Sequence, residues 1–145
     1  SDVCSSDLIK PEISEKSPYY INKHRSYELV HFCRQYRDWI RMYESFVDIE
    51  EHPFKLAKVS QNCGFIGDSP TERIAMMKQY YAEKIKMVQE AAEMTDKELS
   101  SYILKGVTEG LSYEVLRARE NIPCCQETYY LLRRKFFWLL NKMRS

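Results

Sequence analysis

Only four glycines and five prolines interrupt 145 residues, and nowhere do 18 apolar residues follow one another. With 30% charged and 44% apolar residues, this scarcity excludes disorder throughout and points to a globular chain tilted towards helix. Without a long apolar run there is no transmembrane helix to expect, and the N-terminus has none of the charged and apolar blocks of a secretory signal. A soluble protein of the cytoplasm is therefore expected, with no membrane partner. Three histidines and scattered acids offer no triad order, no H-E-x-x-H and no glycine-rich phosphate loop. No catalytic site and no cofactor are expected, so the chain reads as a non-enzyme. The five cysteines lack C-x-x-C and H-x-x-x-H spacing, which gives neither a disulfide framework nor a zinc site. Cys63, beside Gly64, has no evident co-ligands, and reduced thiols are the expected state.

What is present begins with aromatics: eleven Tyr, six Phe and two Trp can fill a core and leave some rings at surfaces. At this length folding buries roughly 68–70% of the unfolded surface, so a core needs no staples. Net charge is only +1, which excludes a global basic field. From Asp96 onward, however, nine Lys and Arg face six Asp and Glu, leaving the tail at +3 and the rest at −2. That asymmetry allows a phosphate-contacting patch in the C-terminal third.

Along the chain, Ser17-Pro18 offers a helix start. From about Tyr20 to Val47, Leu29, Cys33, Tyr36, Ile40, Tyr43 and Val47 recur in steps of four and three. Periodicity stops between Asp48 and Asp68, where His52-Pro53 and Asn62-Cys63-Gly64 punctuate a loop, with a turn of helix around Lys55 to Val59. Ser69-Pro70-Thr71-Glu72 then supplies a cap, a Pro at the first helical position and a Glu at the third, opening a helix to about Met94. Thr95-Asp96-Lys97-Glu98 reads as a second capping box, for a helix that ends near Gly106 to Thr108. Ser112 caps a short helix from Tyr113 to about Arg119, Asn121-Ile122-Pro123 turns the chain, and a last helix runs from Cys124 or Cys125 to about Met143. The fold class is therefore all-α: two long N-terminal helices plus a C-terminal three-helix helix-turn-helix. Residues 9–94 read as scaffold or dimerisation region and 95–145 as the DNA-binding part.

In a helix-turn-helix the short second helix aims the third, whose N-terminal residues meet base edges in the major groove. At 100° per residue, Thr128, Tyr129, Leu132, Phe136, Leu139, Leu140 and Met143 fall on one face, the expected core. Gln126, Glu127, Tyr130, Arg133 and Arg134 then point outward. Gln126, Glu127 and Tyr130 are the base-reading candidates, while Arg133, Arg134, Lys135, Arg117 and Arg119 are the phosphate candidates. The partner is double-stranded DNA, with the N-terminal helices as scaffold or homodimer surface. Two rivals stay open: a small terminase subunit, and a protein-interaction module in which Trp39, Phe137 and Trp138 line a groove.

The segments Tyr102 to Glu114, Ile122-Pro-Cys-Cys and Tyr129 to Leu140 resemble the C-terminal half of small proteins on phages, prophages and conjugative elements of Clostridia. These are similar to the promoter-reading region 4 of sigma-70 factors and to phage late-gene regulators of the ArpU and RinA type. Tyr27 to Trp39 and Gly67 to Arg73 extend the resemblance over residues 20–143. It implies a helix-turn-helix regulator of transcription in a bacterial host, with RNA polymerase as a further contact of the N-terminal helices. Sigma-like domains usually place Ser or Thr at the cap of the reading helix, where this chain has Cys124-Cys125. Residues 1–8, S-D-V-C-S-S-D-L, resemble the in-frame translation of a sequencing adapter, which implies a truncated reading frame from a metagenomic contig and a missing native start.

Overall fold

The computed structural model describes residues 16–52, 54–55 and 69–144. The readings of residues 1–8, of Cys63 and of most of the 48–68 segment, including all but the first residue of the turn expected at Lys55 to Val59, lie outside the described residues. Among those described, the protein is all-helical: α1 (Lys23–Arg34), α2 (Tyr36–Glu51), α3 (Pro70–Thr95), α4 (Ser100–Glu109), α5 (Tyr113–Glu120) and α6 (Gln126–Arg144). None of these helices is long and apolar enough to cross a membrane.

Several helix starts follow from the caps. The Ser69 hydroxyl accepts from the Glu72 amide at 3.1 Å ahead of Pro70, and the Ser112 hydroxyl accepts from Val115 at 3.3 Å. Two starts differ from expectation. Ser17 caps only a local turn, its hydroxyl accepting from Tyr19 N–H, and α1 begins instead behind Asn22, whose Oδ1 accepts from His24 at 2.9 Å. At the other boundary Thr95 turns its hydroxyl back to the Ala91 carbonyl at 2.7 Å. Asp96 caps the turn at residues 97–99, accepting from Glu98 and Leu99 at 2.9 and 3.0 Å, and α4 itself starts behind Leu99 with no side-chain cap.

The expected single helix from Tyr20 to Val47 is two helices, parted at Gln35. No Gly or Pro marks the break, yet the hydrogen bonds account for it. The Gln35 amide donates to Phe32 at 3.2 Å, one residue short of the α pattern, while its side-chain amide reaches the abandoned His31 carbonyl at 3.5 Å. The second helix also persists to Glu51, past the expected loop start at Asp48.

The chain divides into two compact units, Ser1–Tyr36 with Met87–Ser145, and Arg37–Lys86. In the first, α1 packs on α4 and α6, and α4 also packs on α5 and α6. Leu29, Cys33, Val88, Ile103, Leu116, Ile122, Tyr129, Phe136 and Leu140 are its sealed side chains, each large aliphatic or aromatic one contributing about 1.5–3 kcal/mol. Gln89 ties down the Tyr36 hydroxyl at 2.8 Å. In the second unit Trp39, Phe46 and Ile74 are buried, Phe46 stacks on Tyr81 at 6.1 Å, and Lys78 pairs with Glu50 at 2.6 Å.

Gly106 lies inside α4, which runs to Glu109, one residue past the expected end near Thr108. The helix stops at Gly110, whose φ of 70° suits a residue without a side chain, and Leu111 N–H closes the end on the Gly106 carbonyl at 3.0 Å.

Candidate nucleic-acid interface

Leu116 on α5, Ile122 in the following turn and Tyr129 on α6 form one fully buried cluster. Leu99, Tyr102, Leu111, Tyr113, Cys124 and Tyr130 pack around it. This cluster sets how α6 leaves the turn. Asn121 adopts the left-handed conformation that ends α5 (φ 55°), a geometry Asn tolerates better than most residues. Ile122 then drops into the core and Pro123 is exposed.

Side chains of α5 fasten the turn. Arg117 donates to the Ile122 carbonyl at 3.0 Å, and the Tyr113 hydroxyl donates to the Cys124 carbonyl at 2.5 Å. Tyr113 N–H donates in turn to the Tyr130 hydroxyl at 3.3 Å, which links the start of α5 to the first turns of α6. Lys105 and Glu120 pair at 2.9 Å between α4 and the end of α5.

Cys125 occupies the capping position of α6. Its carbonyl accepts from Tyr129 N–H at 3.0 Å, and its Sγ meets the Thr128 hydroxyl at 3.2 Å. Hydrogen bonds from Thr128, through side chain and backbone, lower the Cys125 thiol pKa. A sulfur thus does the work that a Ser or Thr oxygen does elsewhere. Cys124, partly buried, is shifted the other way by desolvation.

The expected site residues separate into three groups. Gln126 and Glu127 are exposed, Tyr130 and Arg134 are half-buried, and all four line one open concavity together with Cys125 and Leu131. Arg119 is exposed and Lys135 half-buried, while Arg117, though exposed, already serves the turn. Arg133 is the correction. It is 8% exposed, with its guanidinium 4.9 Å from the centre of the Phe137 ring, and burial lowers its pKa. It faces the core near Cys33 and cannot reach a phosphate as placed.

The reason is a rotation of α6. Its buried residues are Tyr129, Arg133, Phe136, Phe137 and Leu140, an arc turned by roughly 60° from the one that apolar spacing picks out at 100° per residue. Thr128, expected inside, is exposed, and Phe137, which lies off the expected apolar stripe, is buried. Trp138 is half-buried, edge-on to Tyr19 at 5.5 Å with Lys142 over its ring at 3.7 Å. Leu131, 48% exposed among charged neighbours, is a site residue that the apolar spacing already leaves outside the expected core face, and its apolar character alone kept it off the candidate set.

Among the described residues no group of three or more His, Cys, Asp or Glu could hold a metal ion. In comparisons with family models, curated proteins and solved structures, nothing matches the chain.

Proposed function

We propose that the protein is a sequence-specific regulator of transcription that binds double-stranded DNA, acting for a phage or other mobile element, with α5, its turn and α6 as a sigma region 4-like helix-turn-helix. The observation that carries this reading is the exposed start of α6, where Gln126, Glu127, Tyr130 and Arg134 share one open face. Gln126 and Glu127 have the donors and acceptors to read base edges. Tyr130 has its hydroxyl engaged by Tyr113 N–H, so it works first as a strut and second as a contact. Arg134, Lys135 and Arg119 supply phosphate contacts, and Arg117 reaches the duplex only by leaving the turn. The mobile-element context and the link to RNA polymerase rest on the resemblance alone. The interaction-module rival is weakened, because Trp39 and Phe137, two of its three groove aromatics, are buried.

Binding to random duplex DNA, measured against salt, tests the reading. Affinity should fall with rising salt, and each lost phosphate contact should reduce the slope of log affinity against log salt by about 0.9. Arg134→Ala should show that reduction, whereas Arg133→Met, altering a sealed position, should leave the slope unchanged. No binding at low salt, or an affinity indifferent to salt, refutes the proposal.

A further inference from the structure

The geometry points to Leu131 as a specificity-determining contact that reads a thymine methyl group in the major groove. This deepens the DNA reading above and rests on it.

Leu131 is 48% exposed and lines the same concavity as Gln126, Glu127, Tyr130 and Arg134. At 100° per residue it stands roughly 180° from the middle of the buried arc of α6, on the side of that helix turned squarely away from the core. An element that enters a groove along this face inserts Leu131 first. Its flanks are charged: Glu127 lies one turn before it, and Arg134 and Lys135 one turn after. Cations on that side suit a polyanion whose phosphates rim the groove, while the leucine itself offers nothing to a phosphate. The major groove presents donors and acceptors on every base pair but only one apolar group, the C5 methyl of thymine. A leucine at the tip of the reading face therefore selects a T·A pair at the position it meets. It also disfavours cytosine there, whose amino group would lose water against a methyl with no acceptor.

The test uses the full 145-residue chain and a duplex selected from a random pool by repeated rounds of binding. Each thymine in the selected duplex is replaced in turn by uracil, which removes the methyl and leaves the hydrogen-bonding edge intact. One replacement should weaken the wild-type protein about fourfold, the effect of burying a single methyl. The same replacement should leave Leu131→Ala unaffected, and a circular-dichroism spectrum matching the wild type establishes that this half-exposed position tolerates alanine. If no uracil duplex binds more weakly, or if Leu131→Ala loses the same factor as the wild type, the assignment is overturned. Failure to select any duplex overturns the DNA reading itself, an outcome distinct from selection followed by indifference to uracil.

Discussion

Replacing Gly106 by alanine should destabilise the protein, although glycine inside a helix normally invites that change. Ala is favoured over Gly in a helix interior by about 1 kcal/mol, and Gly106 sits within α4 with ordinary helical backbone. A methyl at this position, however, would overlap the Tyr129 hydroxyl and lie 3.2 Å from Leu116 Cδ1. Neither can retreat, since both side chains are fully buried and Tyr129 is flanked by the rings of Tyr113 and Tyr130 at 6.1 and 5.1 Å. Overpacking of this kind costs about 1–3 kcal/mol and more where the neighbours are pinned, so the clash outweighs the propensity gain and leaves a net loss of about 1–2 kcal/mol. The Tyr129 hydroxyl is itself buried with no hydrogen-bond partner among the described residues. Tyr129→Phe should therefore hold or raise stability, by up to about 1 kcal/mol. The double variant loses the overlap but keeps the ring Cζ at 3.3 Å and Leu116 at 3.2 Å from the methyl, so it should recover part of the helical gain, which gives a coupling of about 1–3 kcal/mol between the two positions. Urea unfolding followed by circular dichroism at 222 nm measures all four proteins. An alanine variant more stable than the wild type would show that the space exists. Strictly additive effects would show that the hydroxyl is not the obstacle.

Two further outcomes follow from the thiols and the buried phenol. Burial pushes Cys33 from 9.0 up to about 12 and Tyr129 from 10.0 up to about 12. The native state therefore keeps protons that the unfolded chain releases, so stability from these groups is full below pH 9 and declines as pH rises from 9 towards 12. The urea midpoint should fall across that range and fall less steeply in Tyr129→Phe; a flat midpoint from pH 8 to 11 would contradict the burial. Under native conditions iodoacetamide should modify exposed Cys125, its thiol pKa lowered by Thr128, well before buried Cys33. Peptide mapping after brief alkylation checks this, and equal labelling of the two would refute it.

How much of this was legible beforehand depended on whether a feature is written locally. Ser69 and Ser112 announce their helices because a hydroxyl three residues before an amide needs nothing from the rest of the chain. The break at Gln35 was not legible, since Gln is a good helix former and nothing local announces that its side chain will take the His31 carbonyl. Thr95 and Asp96 competed for one cap, and burial of the Thr95 side chain decided the matter. The rotation of α6 escaped notice because apolar spacing counts every arginine as outward. Arg133 breaks that rule by laying its guanidinium over Phe137, and it takes Phe137 inward with it. Gln126 and Glu127 stay at the surface because they open the helix, ahead of the first buried side chain at Tyr129, while Arg134 ends half-buried at the margin of the exposed face.

The fastenings around residues 121–125 have a thermodynamic consequence. Arg117, Tyr113 and the left-handed Asn121 hold the turn before any ligand arrives. A duplex docking on α6 would find its contact edge preorganised, with no loop left to freeze. The ordering entropy that flexible binders surrender on association has then already been met during folding, and more of each contact's free energy remains to distinguish one base pair from another.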